Sequence, residues 1–182
     1  TITVSIVTAD LYDVEPAPAA LVLGTTFFEL VLRTAEPGPL NSVVTPVSVD
    51  AIGQTGSTIP VIAGTFDRLQ SLIGGEIPVP GSPSGKQGAS QIQLQGVPFA
   101  TTIRGTDQFW NIVSTTGHGV SITTTTALSA TLPPAQELVA GSTVFDSIII
   151  ASTGVFTYTS SPTVDASILP VVSSTFPVFQ VS

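Results

Sequence analysis

Residues 1–8, TITVSIVT, decide the fold class: Ile2, Val4 and Ile6 fall on one face of an extended chain, and Thr1, Thr3 and Ser5 on the other. Alternation with a period of two is the signature of a half-buried β-strand and not of a helix. The same rhythm continues outward. Residues 20–182 break into short apolar or alternating runs punctuated by Gly, Pro and Ser, among them ALVLG (20–24), FATTIR (99–104), GVSITTTTALSATL (119–132), SIIIAS (147–152), GVFTYTS (154–160) and TFPVFQVS (175–182). Dense short strands with turn signals between them predict an all-β fold, a β-sandwich of jelly-roll or Ig-like type.

One segment departs from the pattern. TFDRLQSLIGG (65–75) places Phe66, Leu69, Leu72 and Ile73 at helical spacing, with Thr65 as an N-cap and Gly74 and Gly75 as a stop. It predicts one short helix near 65–73. PVPGSPSGKQGAS (78–90), rich in Gly and Pro, reads as an exposed, mobile loop or one ordered by a neighbour.

Composition narrows the function. Only 9% of the 182 residues are charged, against 42% hydrophobic, and Ser and Thr make up about a quarter of the chain. Threonine suits a pleated, half-buried surface. With no Cys, the core has no disulfides to support it. A net charge of −8 opposes any polyanion, so nucleic acid is not an expected partner. No apolar run reaches the length of a membrane-spanning helix. The absence of Met, initiator included, points to a processed or trimmed product.

Catalytic signatures are missing. His118 is the sole histidine and sits between glycines, too little for a zinc site. GSPSG (81–85) has Pro at the centre of what would be a nucleophile elbow, and Gly85-Lys86 is followed by Gln87 where a phosphate-binding loop needs Ser or Thr. The expected protein is not an enzyme. One acidic group stands out: Asp10, Asp13 and Glu15 in ADLYDVEP (9–16) supply hard oxygen ligands of the kind calcium takes, the alternative being solvated carboxylates on a linker. No cofactor other than calcium is suggested.

The acids are followed by VEPAPAA (14–20), in which Pro16 and Pro18 favour extended backbone. The domain reading is therefore an N-terminal arm and Pro-rich spacer over 1–19, and a single β-sandwich domain over 20–182. Either the first strand completes its own sheet, or it adds to the sheet edge of another copy, with Ile2, Val4 and Ile6 filling pockets. Scarcity of charge favours assembly, because natural sheets use lysines and inward charges to prevent edge-to-edge pairing.

The order of strand, polar turn, stiff spacer and body is similar to that of subunits in extracellular donor-strand filaments, and to small jelly-roll viral coat proteins; no motif assigns a family. The expectation is a self-assembling structural protein, an extracellular or cell-surface filament or pilus subunit partnered by other copies of itself. The alternatives are a capsid or decoration protein on a virion, and a secreted carbohydrate-binding module. Against the last, Trp110, Tyr12 and Tyr158 are the only Trp and Tyr.

Overall fold

The alternating N-terminal run forms strand β1 (Thr3–Thr8), and its partners lie in its own chain. It sits inside an antiparallel four-stranded sheet ordered β2-β1-β3-β4, with β2 at Ala19–Ala20, β3 at Leu40–Pro46 and β4 at Gln54–Ile59. Val4 faces Pro46, Ile6 faces Val44 and Thr8 faces Ser42, while Thr3 and Val4 pair with Ala20 and Ala19 on the other side. The computed structural model describes residues 2–35, 40–46, 53–114, 117–124 and 130–180. Thr1, residues 36–39, 47–52 and 115–116, residues 125–129 of the threonine-rich run, and residues 181–182 lie outside them.

The chain divides into two compact units, Thr1–Ile62 with Pro80–Ser82, and Ala63–Val79 with Pro83–Ser182. The expected boundary between an arm over 1–19 and a domain over 20–182 falls inside the first of these units. The reason is local. Asp10 turns the chain straight after β1, Val14 bridges to Val31, and the Pro-containing stretch then brings Ala19 and Ala20 back alongside β1. The spacer is a return loop.

The second unit holds the remaining strands: β5 (Arg68–Ile73), β6 (Glu76–Pro78), β7 (Lys86–Gly88), β8 (Gln93–Leu94), β9 (Phe99–Thr106), β10 (Gly119–Thr123), β11 (Ala130–Thr131), β12 (Gln136–Glu137), β13 (Ser142–Ile150), β14 (Gly154–Phe156), β15 (Thr159–Pro162), β16 (Val171–Val172) and β17 (Phe176–Phe179). Their sheets run β11-β13-β9-β5, β12-β10-β15-β16 and β14-β17-β8, with β6-β7 as a separate hairpin. One core joins them: Leu69 and Ile73 of β5, Ile103 of β9 and Phe145, Ile148 and Ile150 of β13 meet Val120 and Ile122 of β10, Tyr158, Phe156 of β14, and Phe176 and Val178 of β17. Polar pairs also cross between sheets, Ser71 to Ser160 at 3.0 Å and Thr101 to Tyr158. The protein is an all-β sandwich.

The expected helix near 65–73 is strand β5. It lies against β9 in unbroken register from Arg68 opposite Thr106 to Ile73 opposite Thr101, and every residue from Leu69 to Ile73 is buried. A strand covered on both faces shows no polar alternation, so the spacing of Leu69, Leu72 and Ile73 matched a helix by coincidence. The stretch 78–90 is ordered too: β7 pairs with β6, and the Val79 amide donates to the Gly85 carbonyl at 2.6 Å.

Candidate functional site

In the first unit the three acids do not converge. Asp10 is buried, and its carboxylate accepts the Arg33 amide at 2.6 Å, the Thr34 amide at 2.9 Å, the Thr34 hydroxyl at 2.7 Å and the Tyr12 amide at 3.1 Å. Burial pushes this carboxyl up, but those hydrogen bonds outweigh it and hold the group below its ordinary 3.8. Asp13 accepts the Thr8 hydroxyl and Glu15 accepts the Thr8 amide. Hydrogen bonds already occupy the lone pairs that a cation would use on Asp10, and among the described residues no three metal-binding side chains come together. In this arrangement Asp10 acts as a loop clamp, and the calcium expectation for Asp10, Asp13 and Glu15 draws no support from it.

The assembly residues land in the middle of a sheet. Ile2 is exposed and Val4 and Ile6 are half-buried, and the main chain of β1 is paired in cis with β3 along Val4–Thr8 and with β2 at Thr3 and Val4. Donation of β1 to another copy would first break those pairings. Other apolar side chains of this unit stand out more strongly: Leu11 is 89% exposed, Phe27 93% and Leu23 100%. Among the unit's described side chains, no large apolar one is buried.

Leu23 stands at the tip of a two-residue turn. Val22 and Thr25 exchange backbone hydrogen bonds of 2.9 and 3.1 Å, and Leu23 and Gly24 have φ of +52° and +87°. Two consecutive positive φ values define the type I′ turn, which favours Asn-Gly. Val139-Ala140-Gly141-Ser142 in the second unit is built the same way, with φ of +50° at Ala140 and +83° at Gly141.

A cavity of about 410 Å³ opens in the second unit between the start of β5 and residues 167–171, lined by Asp67, Arg68, Leu69, Trp110, Ser167, Leu169, Pro170 and Val171. Trp110 has φ of +68°, an outlier for a bulky residue. What holds it there is Asp107, a second buried clamp: its carboxylate accepts the amides of Gly64, Phe109 and Asn111 and the Asn111 side-chain amide, all within 3.0 Å. The indole rests on Gly85, where a Cβ would lie 2.3 Å from Trp110 Cγ, so no other residue fits at that position. Arg68 lies over the ring, its guanidinium carbon 5.0 Å from the centroid, and donates from Nε to Asp67 at 2.6 Å.

A third polar cluster is structural in form. Glu76 is almost wholly buried and accepts Lys86 Nζ at 2.9 Å, the Ser174 hydroxyl at 2.5 Å and the Ile73 amide at 2.9 Å. Burial raises its pKa, and the Ser174, Ile73 and Lys86 contacts overcome this to place it below the ordinary 4.5. Tyr158 is pushed up to about 12 by burial, although its hydroxyl bonds with Thr101. His118 packs edge-on against Phe66, with ring centroids 5.0 Å apart.

No protein-family model and no curated protein matches the chain. Among solved structures it is similar to a glycosyl hydrolase family 2 member from Bacteroides cellulosilyticus, at 11% identity and TM-score 0.44 over 97% of this chain and 21% of that one. It is likewise similar to a β-glucuronidase from glycoside hydrolase family 2, at 12% and 0.47 over 100% and 19%. The D0-D1 domain of intimin gives 11% and 0.41 over 98% and 81%. The chain thus spans about a fifth of the length of the two glycosidase chains. Among the described residues no helix is long and apolar enough to cross a membrane.

Proposed function

We propose that the chain is a non-enzymatic structural protein that acts outside the cell or at its surface by associating with other copies of itself, as a filament subunit does. The observation that carries this reading is Leu23. A fully exposed leucine occupies a turn position where Asn or Gly is easier to accommodate, so the isolated chain gains nothing from it. Leu11 and Phe27, equally uncovered, extend the apolar surface of the same unit. Strand β4 ends its sheet and carries no charge in QTGSTI, the kind of edge that another chain can extend. In this reading the contact is made by β4 rather than by β1, whose main chain pairs with β3 along Val4–Thr8.

Electron microscopy and sedimentation velocity on the purified chain test the proposal. Ordered polymers that form with rising concentration are expected, and Ser57→Lys, on the exposed edge strand, should suppress them without lowering stability. Monodisperse monomers at every concentration would refute self-association. Closed shells would favour the capsid alternative over a filament.

A further inference from the structure

Beyond self-association, we infer that the Trp110 cavity is a binding site for a neutral sugar, a pyranose ring lying between the indole edge and the Leu169–Val171 wall.

Both walls are tied into the fold by hydrogen bonds and packing. On one side Asp67 and Arg68 lead into β5, and the Asp67 amide is tied to the Thr106 carbonyl at 2.9 Å. On the other, Asp165 accepts both the amide and the hydroxyl of Ser167 at 2.9 and 2.6 Å, Ile168 plugs into the core, and Val171 pairs with Ser160. A site fixed before its ligand arrives loses little entropy on binding. At about 410 Å³ the cavity falls in the usual range of small-molecule clefts, roughly 300 to 1,000 Å³.

Its chemistry is mixed in the way a sugar is mixed. Leu169, Pro170 and Val171 offer apolar surface to the C–H face of a pyranose, and Trp110, its faces covered by Gly85 and Arg68, meets the ring with its edge. Hydrogen-bonding groups stand at the rim. Asp67 uses one oxygen for Arg68 Nε, which leaves its other oxygen and the outer guanidinium nitrogens for a ligand. The Ser167 hydroxyl gives its proton to Asp165 and keeps its lone pairs. Vicinal hydroxyls, each both donor and acceptor, match a carboxylate oxygen beside a guanidinium fork.

Charge separates this class from others. Arg68 and Asp67 neutralise each other, so a free anion meets the Asp67 carboxylate and a free cation meets Arg68 already over the indole. A neutral polyhydroxylated ligand meets neither penalty. The strained Trp110 backbone points the same way, since strain held in place by a buried clamp is characteristic of ligand sites.

Trp110 is the only tryptophan, so indole fluorescence reads this cavity alone. The full chain is titrated separately with glucose, galactose, mannose and N-acetylglucosamine, and with sodium acetate and choline chloride as charged controls. At least one sugar should give a saturable change with a Kd on the order of 1 mM, and neither control should. Arg68→Leu should weaken that binding roughly tenfold or more, the loss of a charged hydrogen-bonding partner. Ser167→Ala, on the opposite wall, should weaken it several-fold, and it supplies a second variant if Arg68→Leu alters the melting curve. The inference is overturned if no sugar gives a saturable change well above that concentration, if acetate or choline binds as well as the sugars, or if sugar binding is unmoved in both variants. Self-association is measured separately and stands or falls independently.

Discussion

Replacing Leu23 with Asn should move stability and assembly in opposite directions. In the single chain the Leu23 side chain is fully exposed, so its removal forfeits no burial, while its φ of +52° is one that Asn tolerates better. A gain of about 0.5–1 kcal/mol follows. If Leu23 is covered in the assembly, each copy loses about 2 kcal/mol of apolar burial there, which weakens association by roughly 30-fold. Ala140→Asn supplies the control, because Ala140 occupies the same turn position with φ of +50° in the second unit. It should stabilise without touching assembly. Urea unfolding of dilute protein gives the first quantity and sedimentation velocity across concentration the second. A loss of stability in Leu23→Asn would mean that the leucine is packed in the single chain. A gain with unchanged association would remove Leu23 from the contact, and with it the observation on which the proposed function rests.

Three further outcomes follow from the buried polar groups. The folded pKa values of Glu76 and Asp10 lie below their ordinary 4.5 and 3.8, so the stability they confer is complete above about pH 4.5 and is lost as pH falls through the folded values; thermal melts from pH 7 to 3 should show the midpoint falling only in the acidic arm. Asp10→Ala leaves the Tyr12, Arg33 and Thr34 amides without their acceptor and the Thr34 hydroxyl with the Pro80 carbonyl at 3.5 Å alone, for about 3 kcal/mol, and limited proteolysis should cut residues 2–35 first while Trp110 fluorescence, in the other unit, stays native. Tyr158→Phe should cost about 1 kcal/mol by chemical denaturation, because Thr101 still donates to the Leu72 carbonyl at 2.9 Å, and it should abolish the tyrosine ionisation near pH 12 in a spectrophotometric titration.

The fold class was legible because alternation is local. FATTIR falls in β9, the SIII of SIIIAS in β13 and the FPVF of TFPVFQVS in β17. Where burial covered both faces, as at Leu69 to Ile73, periodicity lost its information and a strand looked helical. Partner choice was not legible either. The alternation of Ile2, Val4 and Ile6 identifies a strand, but its pairing with residues 42–46 depends on contacts across some forty residues of sequence. The acids were seen as a group although only Asp10 has a central role, since direction of carboxylate and supply of amides are properties of folded loops. The Trp110 cavity was missed for a similar reason: the residues that build it come from 67–69, 110 and 167–171, and nothing in DQFWN announces a positive φ. The turns at Leu23-Gly24 and Ala140-Gly141 were within reach, because Val-x-Gly followed by Thr or Ser occurs at both.

Strand β17 has a consequence for synthesis. It pairs with β14 on one side and runs parallel to β8 on the other, and its Phe176 packs against Phe99, Phe156 and Tyr158 at the centre of the sandwich. A ribosome delivers residues 93–94 and 99 long before 176–179. Until residues 176–179 emerge from the exit tunnel, β8 lacks its ladder and the aromatic centre lacks its middle ring, so the nascent second unit remains an open half-sandwich with exposed apolar surface. Maturation of this unit is thus postponed until residues 176–179 have emerged, and a ribosome stalled before Phe176 presents a chain with uncovered apolar surface.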